Sequence, residues 1–229
     1  MMMFDPLYFL VVGPALILSV VAQVWVKKSF HKFSKIGVRN GMSGAEIADQ
    51  IVRNAGLGVR VERVAGFMSD HYDPRARVLR LSPEVFEGRS ISSIGVAAHE
   101  AGHALQHAKG YLPLQWRTAM VPITTIGSNL AWPLLMIGFI FSAASLVKLG
   151  IIFFSAAVLF QLITLPVEFD ASRRAMTVLR NQGGVTAVEL NGVRSVLTAA
   201  AMTYVAAAAA AVLQLLYFLL RAGLLRRDD

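Results

Sequence analysis

The sequence predicts an α-helical integral membrane protein with about four transmembrane helices and a small cytoplasmic α+β portion. Of its 229 residues, 55% are hydrophobic and only 16% are charged, which is too apolar for an ordinary soluble domain of this size. Long uncharged runs contain the excess hydrophobic residues, and one extended polar region follows the first of these runs. Five segments are predicted: a first transmembrane anchor (1–26), a cytoplasmic region (27–117), a transmembrane hairpin (118–167), a second cytoplasmic segment (168–194), and the fourth transmembrane helix with the tail (195–229).

The charge pattern and the lack of cysteine exclude several kinds of function. The net charge is +8, but the basic residues flank apolar runs rather than alternating with aromatic residues on a polar domain. This pattern predicts a lipid bilayer as partner and no nucleic acid. The chain has no cysteine, which excludes disulfides, thiolate zinc sites and cysteine nucleophiles. Any metal ion must therefore be held by nitrogen and oxygen ligands.

The first apolar run, Leu7–Val26, has no charge and is long enough to cross a hydrocarbon core of about 30 Å. A cleaved signal peptide is the alternative, but no basic residue precedes the run, and the run is long for a signal sequence. An uncleaved anchor is predicted.

The other three spans follow the polar region. Thr118–Val167 contains Lys148 as its only charge and is long enough for a hairpin, Val121–Ala144 and Leu149–Val167. Ser195–Leu220 is the fourth predicted span, and its alanine content suits packing against other helices.

Local signals indicate that the polar region is folded. Ser43 and Glu46 form a capping-box pattern that opens a short helix, which Gly56 can end. Ser82–Glu84 has the order of a helix start, with a cap, a proline and an acid.

Two strands are predicted in the same region. Val59–Val64 and Arg77–Leu81 alternate as strands do, and Asp70–Pro74 is the turn-rich segment between them.

Cations near the span ends predict the orientation. Five follow the first span: Lys27, Lys28, Lys32, Lys35 and Arg39. The hairpin returns the chain to the same side, where four more agree: Arg173, Arg174, Arg180 and Arg194. With four spans, the tail lies on the side of the membrane opposite to the polar region. Its three cations argue against this orientation: Arg221, Arg226 and Arg227. The larger cluster after the first span predicts a cytoplasmic polar region.

His99-Glu100-Ala101-Gly102-His103 is the strongest chemical signal in the chain. Residues four apart lie on one face of a helix, so both imidazoles can bind one zinc ion, with Glu100 beside the metal-bound water. Zinc lowers the pKa of that water towards about 7, and Glu100 can pass its proton to the leaving amine. The alternative is a helix with two histidines on a polar face, which is costly beside a membrane. One Zn2+ per chain is predicted, held by His99 and His103, with Glu100 as the catalytic base.

A catalytic zinc ion needs a third protein ligand. Lys109 stands where the metzincin pattern has its third histidine, which excludes that class. His107 lies about 80° around the helix from His99, so it is expected to be partly exposed or beside a ligand.

Few carboxylates follow the motif: Glu168, Asp170, Glu189, Asp228 and Asp229. Glu168 is favoured over Glu189 as third ligand because it follows the hairpin directly. The hairpin returns the chain to the side of the membrane where the helix with His99 and His103, the metal helix, is predicted to lie. Its alternative role is an ion pair with Arg173 or Arg174. Asp170 is either an acceptor for a ligand imidazole or a solvated acid.

His71 and Tyr72 lie near a candidate edge strand, which can hold an extended peptide by strand addition. His71 is a candidate catalytic residue that stabilises the oxyanion, and its alternative is an ordinary loop histidine. Tyr204 either projects to the site or packs within its span.

Several runs resemble the YugP-type neutral zinc metallopeptidases of bacterial membranes: Asp70–Pro74, Val78–Ser82, Val96–His107, Leu165–Ser172 and Thr203–Ala206. The resemblance covers nearly the whole chain. It implies a membrane-embedded, zinc-dependent protease of the bacterial inner membrane.

More distantly, the chain is similar to the HtpX-like and CAAX-processing gluzincins, whose third-ligand glutamate begins a Glu-x-x-x-Asp pattern. Glu168 matches this glutamate, but Ser172 stands at the position of the acid, and the nearest acid is Asp170. The resemblance implies a gluzincin-like HExxH helix with Glu168 as ligand. It does not say which residue takes the place of the family's aspartate beside a ligand histidine.

Together these features predict a multi-pass zinc metalloendopeptidase with a cytoplasmic active site and a membrane-associated polypeptide substrate. An intramembrane protease is one alternative, but Ser90–Ala108 has serines, three histidines and a glutamate, and no Leu-Asp-Gly motif follows. A non-enzymatic scaffold or sensor with structural zinc is the other, although structural zinc usually has four protein ligands. No oligomeric state is predicted.

Overall fold

A computed structural model describes residues 5–181 and 184–225. Its elements in chain order are α1 (Pro6–Ser34), α2 (Gly44–Asn54), β1 (Arg60–Arg63), β2 (His71–Asp73), β3 (Val78–Leu81), α3 (Pro83–Phe86), α4 (Ile91–Ala108), α5 (Leu112–Ile140), α6 (Ala144–Asn181) and α7 (Ala187–Arg221). Four tail residues named in the sequence analysis lie outside the described part: Arg226, Arg227, Asp228 and Asp229.

The chain packs as two units. The span unit comprises the described parts of Met1–Ala22, Gln115–Leu165 and Thr203–Asp229. The polar unit comprises Gln23–Leu114 and Pro166–Met202. Each unit has its own apolar core, so each is described separately.

Four helices are long and apolar enough to cross a membrane: α1, α5, α6 and α7. Only 22% to 33% of their most apolar windows is buried, so most of these side chains face outward, as lipid contact requires. The prediction of a mainly helical chain with four long apolar helices and a small α+β portion is confirmed.

In the span unit, the start of α1 and the end of α7 lie at the same end. The Tyr217 hydroxyl donates a hydrogen bond of 2.9 Å to Asp5, and Arg221 forms an ion pair with the same carboxylate at 3.5 Å. A cavity beside Arg221 is also lined by Ser142 and Lys148, so the turn between α5 and α6 lies at this end too. The core of the unit includes Val12, Ala131, Leu135, Tyr217 and Phe218.

The polar unit contains a three-stranded sheet of order β1-β3-β2, in which β1 is parallel and β2 antiparallel to β3. The predicted strands over Val59–Val64 and Arg77–Leu81 are confirmed as β1 and β3. The prediction of a turn-rich segment over Asp70–Pro74 is wrong for its three middle residues, which form β2. Three residues are too few to show an alternating pattern, and only pairing with β3 makes this segment a strand.

The predicted helix starts of the polar unit are confirmed. Ser43 and Glu46 cap each other at the start of α2, with the Ser43 N–H donating to Glu46 at 2.6 Å, and Gly56 adopts φ +67° just beyond its end. Ser82 precedes the short α3, but its hydroxyl donates to Asp70 at 3.0 Å instead of capping the helix. The core packs the sheet and α2 against α4 through Ile47, Ile51, Leu79, Leu81 and Ile94.

Candidate metal centre

Helix α4 carries both histidines of the motif. The Ser93 N–H donates to the hydroxyl of the N-cap residue Ser90 at 3.2 Å, and no proline interrupts the helix after this cap. His99 and His103 lie one turn apart, with ring centroids 4.8 Å apart and planes at 84°. Their Nε2 atoms therefore face the same side of the helix.

Helix α6 adds a carboxylate to the two imidazoles. Glu168 Oε2 lies 3.2 Å from His99 Nε2 and 3.7 Å from His103 Nε2, and only 2% of Glu168 is exposed. One potential ligand atom from each residue lies within 4.8 Å of the other two. The structure thus brings together the three residues predicted to bind the metal ion.

The donor set suits zinc. Two imidazole nitrogens and one carboxylate oxygen form the His2Glu set of catalytic zinc sites. The pKa of His103 reflects the concentrated negative charge: burial by itself would lower it, but the hydrogen bond with Glu168 and the charge of Glu100 raise it above its ordinary value. The negative charge of the two carboxylates, which raises this pKa, also favours a bound metal cation.

A glycine allows the two helices to approach this closely. A Cβ atom on Gly102 would lie 2.6 Å from the carbonyl oxygen of Ala171 on α6, closer than atoms can pack. Gly102, within the motif, therefore permits the α4–α6 contact that brings Glu168 to the histidines.

The imidazole of each candidate ligand has a second polar contact. His99 Nδ1 lies 3.1 Å from the Ser172 hydroxyl, so Ser172 contacts His99 from the position where the gluzincin pattern has aspartate. His103 Nδ1 lies 3.0 Å from Gln106 Oε1. The amide of Gln106 in turn donates to Asp170 Oδ2 at 3.0 Å.

Asp170 is buried, with 4% of its side chain exposed, so it is not a solvated acid. It accepts hydrogen bonds from Arg173 and from Arg174, the latter at 2.5 Å, and these arginines therefore pair with Asp170. Sequence reasoning did not single out Gln106. Its importance is visible only in the structure, as a fully buried amide three residues after His103, since buried polar groups need partners.

Glu100 is 8% exposed, and it lies near enough to His103 for its charge to raise the pKa of that imidazole. Within the described residues, no side chain or backbone group hydrogen-bonds to its carboxylate. Its charge contributes to raising the pKa of Asp70, although burial of Asp70 is the larger cause, so the two acids are near neighbours. The carboxylate of Glu100 is thus available to a water molecule or a substrate.

Two other histidines lie outside the cluster. His71 is exposed, and its ring nitrogens lie 2.8 Å from the Ser69 carbonyl oxygen and 3.4 Å from Arg80. His107 is partly exposed, as predicted, and its Nδ1 lies 2.8 Å from the Tyr72 hydroxyl.

Glu189, the alternative third ligand, has a different set of contacts. It accepts hydrogen bonds from the Arg39 and Thr186 N–H groups, each at 2.6 Å, and so caps the start of α7. The structure therefore brings Glu168 and not Glu189 to the histidines. Tyr204 is a half-buried residue of α7 in the span unit.

Four apolar helices combined with a His-x-x-x-His helix and an adjacent glutamate define the class of membrane metallopeptidases. The chain belongs to the family described as "Putative neutral zinc metallopeptidase", whose model matches residues 8–223. It is 50% identical over 207 residues to the "Putative membrane protease YugP" of Bacillus subtilis (strain 168), a match that covers 90% of this chain and 92% of that protein. No solved structure matches. The resemblance to the YugP-type neutral zinc metallopeptidases is confirmed.

Proposed function

We propose that this protein is a membrane-bound zinc metalloendopeptidase in which His99, His103 and Glu168 hold one Zn2+ per chain and Glu100 is the general base. The main observation behind this proposal is that the three potential ligand groups lie together in a largely buried cluster. Beside them is the carboxylate of Glu100, which has no hydrogen-bond partner among the described residues. A three-ligand set leaves a coordination position for water or substrate, as catalytic sites require.

The reaction is peptide hydrolysis. When bound, zinc supplies the Lewis acidity that activates water and polarises the scissile carbonyl. Glu100 accepts a proton as the water oxygen bonds to the carbonyl carbon, and it passes that proton to the leaving nitrogen as the C–N bond breaks. The products are a carboxylate and an amine.

The edge strand β2 is the proposed binding surface for the polypeptide. It lies at the edge of the sheet, and the bond between Tyr72 and His107 of α4 holds it beside the metal helix. An extended substrate segment can pair with the free edge of β2 through backbone hydrogen bonds. Neighbouring strand residues point to opposite faces, so His71 points away from Tyr72, and the proposed reaction assigns it no step.

We further propose a multi-pass location in a bacterial plasma membrane, with segments 27–117 and 168–194 and the active site in the cytoplasm. The cations that follow the first span support this orientation. The substrate is then a polypeptide that reaches the cytoplasmic membrane surface.

Two observations count against the alternatives. An intramembrane protease would carry its HExxH motif on a spanning helix. Helix α4, which carries both histidines, is not among the four helices suited to cross a membrane, although Glu168 lies on α6, which is one of them. A structural zinc site usually has four protein ligands, and the described residues supply three here.

The test compares the purified wild type with Glu100→Gln for zinc content and for release of peptide fragments. The amide fills the same space but cannot accept the proton, so zinc should stay bound while turnover falls by about 10² to 10⁴. Turnover within about tenfold of the wild type would refute the general-base role.

A further inference from the structure

Gln106 connects the metal centre to a buried ion pair. It is fully buried on α4, and its Nε2 donates to the Val167 carbonyl oxygen at 2.8 Å and to Asp170 at 3.0 Å. Its Oε1 lies 3.0 Å from Nδ1 of His103. All polar atoms of this side chain therefore have partners.

These partners determine the orientation of the amide. The Val167 carbonyl can only accept a hydrogen bond, and Asp170 also accepts here because the guanidinium groups of Arg173 and Arg174 donate to it. The NH2 group of Gln106 must face these two acceptors, which leaves its oxygen towards the imidazole.

The amide orientation in turn determines the tautomer of His103. An amide oxygen can only accept, so Nδ1 of His103 must carry the hydrogen. Nε2, which lies 3.7 Å from Glu168 Oε2, is then the nitrogen that offers a lone pair to a metal ion. The Ser172 hydroxyl beside His99 can donate or accept, so it imposes no such choice on that ring.

We propose that Gln106 is a positioning residue that fixes the ring orientation and tautomer of His103 for zinc binding. Asp170 acts on His103 through this amide, because it anchors the NH2 group and is itself held by two arginines. The inference rests on the proposed function in one respect, that the ligand of the site is zinc.

The experiment measures the zinc dissociation constant of the full-length protein by competition with a chelator. Gln106→Leu removes the acceptor for Nδ1 and should weaken zinc binding by about 10- to 100-fold. Gln214→Leu, which removes another buried glutamine, is the matched control and should bind zinc as the wild type does.

Exchanging the amide of Gln106 and the carboxylate of Asp170 tests the direction of the hydrogen bond between these two side chains. Gln106→Glu alone keeps an acceptor for His103 but turns an oxygen towards Val167 and Asp170, so zinc binding should weaken. Adding Asp170→Asn supplies an amide that can donate to this oxygen, so zinc affinity should recover in part in the double variant, while the contact with the Val167 carbonyl stays unfavourable. The visible spectrum of the cobalt-loaded protein should differ from that of the wild type in Gln106→Leu and in Gln106→Glu. The spectrum of the double variant should lie closer to that of the wild type than the spectrum of Gln106→Glu does.

The unfolding temperature of the zinc-free protein separates positioning from general stability. A purely structural role would lower this temperature in Gln106→Leu and leave the dissociation constant unchanged, which would overturn the proposal. If Gln106→Leu does not fold, equal zinc losses in Gln106→Glu and the double variant would overturn it instead. Unchanged zinc binding in His103→Ala would refute the proposed metal site itself, and the role of Gln106 with it.

Discussion

At the scale of single residues, the metal centre depends on which of two buried glutamates reaches the histidines. Glu168 lies against both imidazoles, whereas the oxygens of Glu189 accept backbone N–H groups at the start of α7. Glu168→Ala should therefore purify folded but poor in zinc, because alanine supplies no ligand atom. Glu189→Ala should keep its zinc and lose about 1 kcal/mol of stability with the cap.

Zinc per protein in these two variants is the measurement, with the wild type as reference. Zinc loss in Glu189→Ala and full occupancy in Glu168→Ala would move the third ligand to Glu189. Full occupancy in both would leave the site without a glutamate ligand.

Asp70 gives a second prediction at this scale. Burial raises its pKa, and the charge of Glu100 adds to the increase, although the hydrogen bonds from Ser82 oppose it. Because the folded-state pKa is raised, the stability contributed by this carboxyl is complete below its unfolded pKa of about 4 and is lost as the pH rises through the folded pKa. Asp70→Asn, which cannot ionise, should gain stability relative to the wild type over that rise in pH.

The measurement is the free energy of unfolding of both proteins from about pH 4 to neutrality. The difference between variant and wild type should grow in favour of the variant as the pH increases. A difference that stays constant, or that falls, would contradict the prediction.

At the scale of elements, the contact between α4 and α6 determines the geometry of the site. Gly102 lies against the Ala171 carbonyl with no room for a methyl group. Gly102→Ala should force the helices apart, cost about 1 to 3 kcal/mol, and reduce zinc affinity by moving Glu168. Gly13→Ala is the control, because Gly13 is also helical but a Cβ there would meet nothing within 4 Å.

Thermal unfolding and the zinc dissociation constant measure both effects. Equal values for Gly102→Ala and Gly13→Ala would show that the close contact is not needed for metal binding.

At the scale of the whole molecule, the order of the spans predicts the sidedness of the chain. In the span unit, Asp5, Ser142 and Arg221 lie at one end, as an even number of crossings requires. Arg221 is one of the tail cations that argue against the predicted orientation, but its ion pair with Asp5 partly neutralises its charge.

Labelling of single cysteines tests this topology, and the chain has no cysteine of its own. Lys35→Cys and Ser145→Cys are both exposed positions. An impermeant thiol reagent should label Ser145→Cys in intact cells and Lys35→Cys only after lysis. Labelling of Lys35→Cys alone in intact cells would reverse the topology and place the active site outside.

The sequence by itself determined the spans and the metal helix. The absence of charge over about 20 residues has one dominant physical meaning, since a helix of that length crosses a bilayer. The four-residue spacing of His99 and His103 places them on one helix face whatever surrounds them. The capping box at Ser43 is similarly local, because its atoms belong to one turn.

Only the tertiary structure decided which distant groups meet the metal helix. The choice of Glu168 over Glu189, the contact of Ser172 with His99, and the link from His103 through Gln106 to Asp170 join residues of different helices. Local periodicity shows which face of a helix is apolar but not which face of another helix packs against it. That pairing is set by side-chain shape at the crossing, where the missing Cβ of Gly102 permits the contact with Ala171.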